Sequence, residues 1–315
     1  MPKNLNYKER IKIETMYNNG MKAREISEYL GRNKSTIHRE LNKYSKDKRY
    51  SSNAAHNTAK QNMARTCQVR IEPSVVCVID RKIIEDQWSP EQISNWLKKH
   101  NLGKVSYTWI YDYIAKDKEE GGELCNHMRR GRYSKGPKEY RGNIADRVGI
   151  EERPEFVNNR SRIGDLEVDL IVGPKNRGAI LSVIDRVSRV CILEKLPNKT
   201  AEAVSEVIIH SLATHKDKIH TITSDNGSEF FLHKEVSQSL RLDYYFAHPY
   251  ASYERGSIEN LNGLVRQYIP KGTDFSLINK EQIKMIEQKL NNRPRKILKY
   301  MTPIEYNACK NKKVA

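Results

Sequence analysis

Apolar residues recur at helical spacing in three short runs near the start of the chain. In the first, Ile11, Ile13 and Met16 form the stripe and Gly20 ends it. The second runs from Lys22 to Leu30, with Ile26, Tyr29 and Leu30 predicted inward, small Ser27 where two helices approach, and Gly31 placed for a tight turn at positive φ. The third, Lys34 to Lys43, keeps Ile37 and Leu41 as a buried stripe and leaves Lys34, Ser35, His38, Arg39 and Asn42 on the other faces. Those side chains carry the chemistry that reads base edges, so residues 1–50 are expected to form a helix-turn-helix with this third helix in the major groove. An amphipathic bundle with a solvated basic face is the competing reading. A second such region is expected within 51–120. Ser89-Pro90-Glu91-Gln92 is a capping box with proline at the first helical position, followed by inward Ile93, Trp96 and Leu97. Beyond Gly103, Ser106 caps another helix bearing Trp109, Ile110, Tyr113 and Ile114. Tyr107 and Tyr111 either face nucleic acid or join the core.

From Gly164 the period changes to two. Leu166, Val168, Leu170 and Val172 alternate with Asp165, Glu167, Asp169 and Ile171, which predicts a strand with several carboxylates on one side. Strands are predicted again at Ala179–Asp185 and Val190–Leu196, a helix at Thr200–Thr214, and a further strand at Ile219–Thr223 that runs into Ser224-Asp225-Asn226-Gly227. Three hairpin-linked strands, a helix and a parallel strand ending in an acid is the order of a ribonuclease-H-like α/β core. Asn226 and Gly227 are expected to shape the turn beside Asp225. Between Arg255 and Tyr268, positions 255, 259, 262 and 266 share one helix face, and Ile258, Leu261 and Val265 form the adjacent buried stripe. Glu259 therefore projects from a packed helix toward polar partners. Acids on a rigid sheet-and-helix platform suit a pair of divalent ions that clamp the attacking and leaving oxygens of a phosphodiester.

Charge supports a polyanionic partner. The 315 residues hold 56 Lys and Arg against 39 Asp and Glu, a net charge of +17 with an isoelectric point near 9.5. The excess is uneven, since residues 1–150 carry 30 of the basic but only 18 of the acidic residues. Within the expected linker, 121–160, the stretch Met128 to Gly142 reads as basic and phosphate-seeking. A mean hydropathy of −0.77 and charge-broken apolar runs exclude a membrane span, and the first residues lack a secretory apolar region, so a cytoplasmic, nucleoid-associated protein is expected. Five scattered cysteines without a CxxC pair predict free thiols, and the five-residue spacing of His210, His215 and His220 argues against a metal cluster. No GxxxxGK[ST] string is present, so no ATP site is expected. The seventeen tyrosines suggest a tyrosine recombinase, but its Arg…His-x-x-Arg…Tyr pattern is missing.

At four segments the sequence resembles a known family. GDLEVDLIVG, SDNGSEF, ERGSIENLNGLVRQYIPKGTDF and LNNRPRKILKYMTPIEY are similar to the D-D-E transposases of the bacterial IS-thirty insertion-sequence family, and GRNKSTIHREL and WSPEQIS to that family's two helix-turn-helix regions. Asp225 and Glu259 enclose 33 residues, similar to the family's D-E spacing. The resemblance implies a multidomain protein: helix-turn-helix modules at 1–50 and 51–120, a linker at 121–160, and a ribonuclease-H-like catalytic domain at 161–315 with a helical tail. It implies Asp169, Asp225 and Glu259 as catalytic acids holding Mg2+, with Mn2+ as substitute, and Arg266, seven residues past the glutamate, as a DNA contact. Leu166 and Val168 stand where the family usually has Trp and Gly. Asp165 and Glu167, on the strand face of Asp169, compete with it for the first role, and Asp185 is a further candidate. The implied partners are double-stranded DNA, both terminal inverted repeats and target, and further copies of the chain in a homodimer or higher multimer. A catalytically inactive, sequence-specific DNA-binding regulator is the alternative.

Overall fold

A capping box opens the first helix: Glu9 N–H donates to the Asn6 side chain at 2.9 Å, and Asn6 N–H donates to Glu9 at 2.8 Å. The computed structural model describes residues 5–46, 49–66, 71–129, 144, 146–174, 177–249 and 251–311, and divides into two units, Met1–Glu72 and Pro73–Ala315. The first unit holds α1 (Tyr7–Asn18), α2 (Ala23–Leu30), α3 (Lys34–Tyr44), a short ribbon of β1 (Ser45–Lys46) and β2 (Arg49–Tyr50), and α4 (Ser52–Thr66). Gly31 turns the chain from α2 to α3 at φ 60°. Ile13, Ile26, Ile37 and Leu41 meet in the core, as the pattern predicted. Ile11 and Tyr29, assigned inward, are exposed. Ile11 lies about 200° around α1 from Ile13. On α2 the buried positions are Ile26 and Ser27, and Tyr29 is left on the flank with Lys12 over its ring.

Tyr50 explains why this unit does not stop at residue 50. Its side chain is fully buried, its hydroxyl donates to Glu40 at 2.9 Å, and Asn18 bonds its backbone in both directions at 3.0 Å. Arg10 Nε donates to the same Glu40 oxygen at 2.6 Å, so α1, α3 and β2 are locked by one buried polar cluster. The chain then continues into α4, where Ser52 donates to Glu14 on α1.

The second unit begins with α5 (Pro73–Ile84), α6 (Pro90–Lys99) and α7 (Tyr107–Glu119). The Ser89–Gln92 capping box and the Ser106 cap form as expected. Helix α5 had no assigned element: its β-branched run hides a buried Ile79–Ile83 pair at i,i+4 behind proline at the first position. After a 3-10 turn (Leu124–His127), the basic stretch from residue 130 to 142 lies outside the described residues. Helix α8 (Glu155–Asn158) then leads into β3 (Asp165–Val172), β4 (Ala179–Asp185), β5 (Cys191–Leu196), α9 (Ala201–Leu212), β6 (Thr221–Ser224), α10 (His233–Leu240) and β7 (Asp243–Phe246). The sheet order is β5-β4-β3-β6-β7, with β3, β4 and β5 antiparallel and β3, β6 and β7 parallel. This is the ribonuclease-H-like arrangement. The fifth strand escaped the pattern because Tyr244, Tyr245 and Phe246 are all buried, leaving no alternation to detect.

Both sheet faces are covered. Leu166, Val168, Leu181, Val183 and Ile222 pack against residues of α9 and α10. Ile171, Ile180, Ile184 and Leu193 pack against α11 (Gly256–Tyr268) and α12 (Lys280–Asn291). The odd-numbered carboxylates of β3 therefore face α11. The second helical region is docked on this half of the core and on α13 (Pro303–Asn311): Arg293 bonds Gln92 at 3.0 Å and the Gln87 carbonyl at 2.7 Å, Tyr268 donates to the Asp86 carbonyl at 2.7 Å, and Lys99 pairs with Glu305 at 2.7 Å. Residues 73–119 thus belong to the same unit as the sheet. No described helix is long and apolar enough to cross a membrane.

Candidate active site

The parallel register of β3 and β6 brings two acids side by side. Leu166 pairs with Ile222 and Glu167 with Thr223, so continuing two residues sets Asp169 beside Asp225 at the end of β6. Between them lies Arg255, a side chain 9% exposed, with Nη1 3.7 Å from Asp169 Oδ1 and Nη2 3.5 Å from Asp225 Oδ2. Each acid is further oriented. Asp169 accepts from Asn262 Nδ2 at 2.8 Å and from its neighbour Leu170 N–H at 2.9 Å, while Ser182, directly opposite in the β3–β4 register, donates to Asn262 Oδ1 at 2.8 Å. Asp225 accepts from Gly227 N–H at 3.0 Å. Asn226 is buried and donates to the Ala247 carbonyl at 2.6 Å, which fastens the turn beyond β6 to the end of β7. Burial pushes the Asp169 carboxyl up to about 6; the Arg255 guanidinium opposes the rise and Asp225 adds to it.

The competing acids are committed elsewhere. Glu167 is fully buried, accepts Arg186 Nε at 3.0 Å, and accepts the Ile258 N–H of the first turn of α11 at 2.9 Å. It anchors the helix that carries Glu259. Asp165 pairs with Arg162 and accepts from Thr221 at 3.0 Å. Asp185 caps its own turn, accepting from Val187 N–H, Ser188 N–H and Ser188 Oγ at 2.9, 2.6 and 2.9 Å, and from Gly164 N–H at 2.6 Å.

Glu259 is exposed in the first turn of α11. Arg255 and Asn262, four residues before it and three after, both reach Asp169, so helical periodicity puts Glu259 on that face. Its side chain is not drawn in: among the described residues no three His, Cys, Asp or Glu side chains are gathered closely enough to hold a metal ion. Arg266, the last of the face, donates to the Val172 carbonyl at 2.9 Å and lies over the Phe275 ring at 5.1 Å, fastening α11 to the end of β3. Sequence reasoning placed Arg255 and Asn262 on the correct face without assigning them a role. Their offset from Glu259 was the available signal, and Ser182 carried none.

In the first unit, Lys34, Ser35, His38, Arg39 and Asn42 are all exposed on α3, which Asn33 caps through Ser35 N–H at 2.9 Å. Arg39 Nη2 donates to Ser35 Oγ at 3.2 Å. Tyr107 and Tyr111 are half exposed on α7, with Ile110 and Ile114 buried instead.

The helix-turn-helix domain family matches residues 2–43. Over 313 residues the chain is 42% identical to the transposase for insertion sequence element IS4351 of Bacteroides fragilis, covering 97% of this chain and 95% of that protein. It is 33% identical over 311 residues to the transposase for IS1086 of Cupriavidus metallidurans, covering 94% and 92%. Transposase InsI for IS30A of Escherichia coli is 31% identical over 324 residues, covering 96% and 82%. The catalytic core domain of BIV integrase matches 48% of this chain and 99% of that domain at 19% identity, with a TM-score of 0.38. At that level the strand order and directions, not the match, define the fold.

Proposed function

We propose, from the premise that this chain belongs to the IS30 (IS-thirty) family of insertion-sequence transposases, that Asp169, Asp225 and Glu259 carry its strand cleavage and strand transfer. The observation that carries this reading is the shared guanidinium: acids from two strands converge on the buried cation Arg255, so the fold has built a seat for positive charge at the C-terminal end of β6. Glu259, one turn along the same helix and bound to no cation among the described residues, is the group able to complete it.

The oxygens of Asp169, Asp225 and Glu259 are hard donors that suit magnesium, with manganese as substitute. Bound there, divalent ions supply polarisation of the attacking and leaving oxygens. The chain's own part is positional. Asn262 and Leu170 N–H fix the Asp169 carboxylate, Gly227 N–H fixes Asp225, and Glu167 fixes the first turn of α11. Water attacking a phosphodiester held in line breaks its P–O3′ bond and leaves a 3′-hydroxyl and a 5′-phosphate; that 3′-hydroxyl attacking a second phosphodiester forms one diester as it breaks another and releases a 3′-hydroxyl, so neither step draws on ATP or a covalent protein–DNA link.

On the exposed face of α3, Lys34, Ser35, His38, Arg39 and Asn42 read the terminal inverted repeat, and Arg266 borders the path of the strand. A homodimer or higher multimer joins two ends, on the bacterial nucleoid. The inactive regulator finds no support in a site whose acids are all retained. Glu259→Gln keeps the side-chain shape and removes the charge, so cleavage of a repeat-bearing donor should fall by orders of magnitude while end binding persists. Asp169→Asn and Asp225→Asn should match it. Near wild-type cleavage by Glu259→Gln would remove that residue from the site.

A further inference from the structure

Helix α11 also walls a half-open cavity of about 340 Å³, bounded by β4, the turn after it, and the segment that follows α12. Three arginines from separate parts of the chain line it: Arg160, Arg189 and Arg295. Arg189 is 9% and Arg295 8% exposed, and each has a buried Nε–H without a hydrogen-bond partner. Their recorded bonds go to neutral acceptors, Arg189 to Ser257 Oγ at 2.6 Å and Arg295 to the Leu290 carbonyl at 3.1 Å. Among the described residues none of the three forms an ion pair with a carboxylate. Burial and the neighbouring Arg160 guanidinium hold Arg189 down to about 10, so it remains charged at neutral pH. A fourth arginine, Arg129, donates to Asn260 Oδ1 at 3.2 Å, and Asn260 lines the same cavity.

Arg189 and Arg295 are desolvated while Arg160 is exposed at the rim, and the carboxylates of Glu167 and Asp185 offset the charge on Arg189 only in part, so an entering anion relieves a remaining cost. Apart from Asn260 and Gly256 the rest of the lining is apolar, with Ile184, Leu264 and Ile297 beside the guanidinium groups. A bare inorganic ion would leave that surface unused, whereas an anion carrying a flat apolar body would use both halves. Asn260 follows Glu259 in sequence, so the cavity sits next to the acid-bearing face of α11. We propose that this cavity takes a single unstacked nucleotide of the DNA end, with its phosphate against Arg160, Arg189 and Arg295 and its base against the apolar wall. A nucleotide at a nicked or frayed end is the one most easily extruded. The inference rests on the transposase reading for the identity of the DNA, but not for the chemistry of the cavity.

The test uses the full chain and a duplex bearing the terminal repeat, with 2-aminopurine placed in turn at each position near the cleavage point, where unstacking brightens its fluorescence. One position is expected to brighten on binding. Arg160→Gly, at a φ of 54° that glycine accepts, and Arg295→Gln should each weaken that response about ten-fold, as loss of one charge-assisted bond implies, while the footprint on the repeat persists. Binding without brightening at any position, or brightening unchanged in Arg160→Gly, overturns the proposal. In a second arm, deoxyadenosine monophosphate should protect the chain from heat more than inorganic phosphate does, and Arg160→Gly should abolish the difference. Equal protection by the two overturns the apolar contact. A chain that fails to bind the repeat contradicts the transposase reading, and the monophosphate arm, which needs no repeat, still decides the cavity.

Discussion

Exchanging Glu167 for glutamine separates a structural carboxylate from a catalytic one on the strand face of Asp169. Glutamine keeps the shape and can still accept the Ile258 N–H, bonded at 2.9 Å, but it leaves the Arg186 guanidinium, 5% exposed, without its counter-charge. Breaking a buried pair from one side costs about 3–5 kcal/mol. In a unit the size of Pro73–Ala315 each kcal/mol moves the melting midpoint by about 2–4 °C, so a fall of roughly 6–20 °C is expected. Calorimetry of the full chain measures it, and the double variant Glu167→Leu, Arg186→Met should recover most of the loss, because apolar residues of similar volume remove both charges together. Cleavage assayed well below the lowered midpoint should be reduced through a displaced α11 and not abolished. A Glu167→Gln protein that melts within about 2 °C of wild type yet has lost cleavage would make Glu167 the catalytic acid and refute the assignment of Asp169.

The Asp169 carboxyl, held up to about 6 from an ordinary value of 3.8, keeps its proton more tightly folded than unfolded, so its ionisation removes stability as pH rises from about 4 through 6. The metal-free protein should lose stability across that window while Asp169→Asn shows no such step, and Mn2+ affinity measured by titration should rise over the same window. Flat affinity between pH 5 and 7 would place the carboxyl near its ordinary value. Arg39→Ala should cost about 1–3 kcal/mol in repeat binding and relax discrimination at one base pair; a loss uniform across sequences would make Arg39 a phosphate contact. Arg266→Ala removes the bond to the Val172 carbonyl and should lower stability by about 0.5–1.5 kcal/mol. An unchanged midpoint with a salt-sensitive loss of strand transfer would instead put its guanidinium on a DNA phosphate.

Elements marked by a local period or a cap were legible from the sequence, and elements whose residues run against propensity or period were not. The stripe Ile37–Leu41 marked α3, and Ser89-Pro90-Glu91-Gln92 marked the start of α6 to the residue, because capping chemistry is local. Helix α5 and strand β7 stayed hidden, since a β-branched helix and an all-buried aromatic strand contradict propensity and alternation respectively. Contacts that join distant segments were hidden for a related reason. Tyr50 carries no local signal of burial, yet its hydroxyl meets Glu40 ten residues earlier, and Gln92 looks like a capping residue only, although it also bonds Arg293, 201 positions later.

The acids divide along the same line. Their positions followed from strand and helix periods, but which carboxylate of Asp165, Glu167 and Asp169 is available for chemistry depends on partners distant in sequence. Thr221 and Arg162 occupy Asp165, and Arg186 with the backbone of Ile258 occupies Glu167. Only Asp169 lies far enough along β3 to pass the last β6 pair, where its neighbour is no longer a hydroxyl of the sheet but Asp225 and the guanidinium of Arg255. With Asp169 proposed as the first acid, the same strand face changes from structural to chemical over four residues. The change occurs where β6 ends, because a carboxylate beside a continuing strand is consumed by it, whereas one beyond the strand end has room for a second acid and the charge between them.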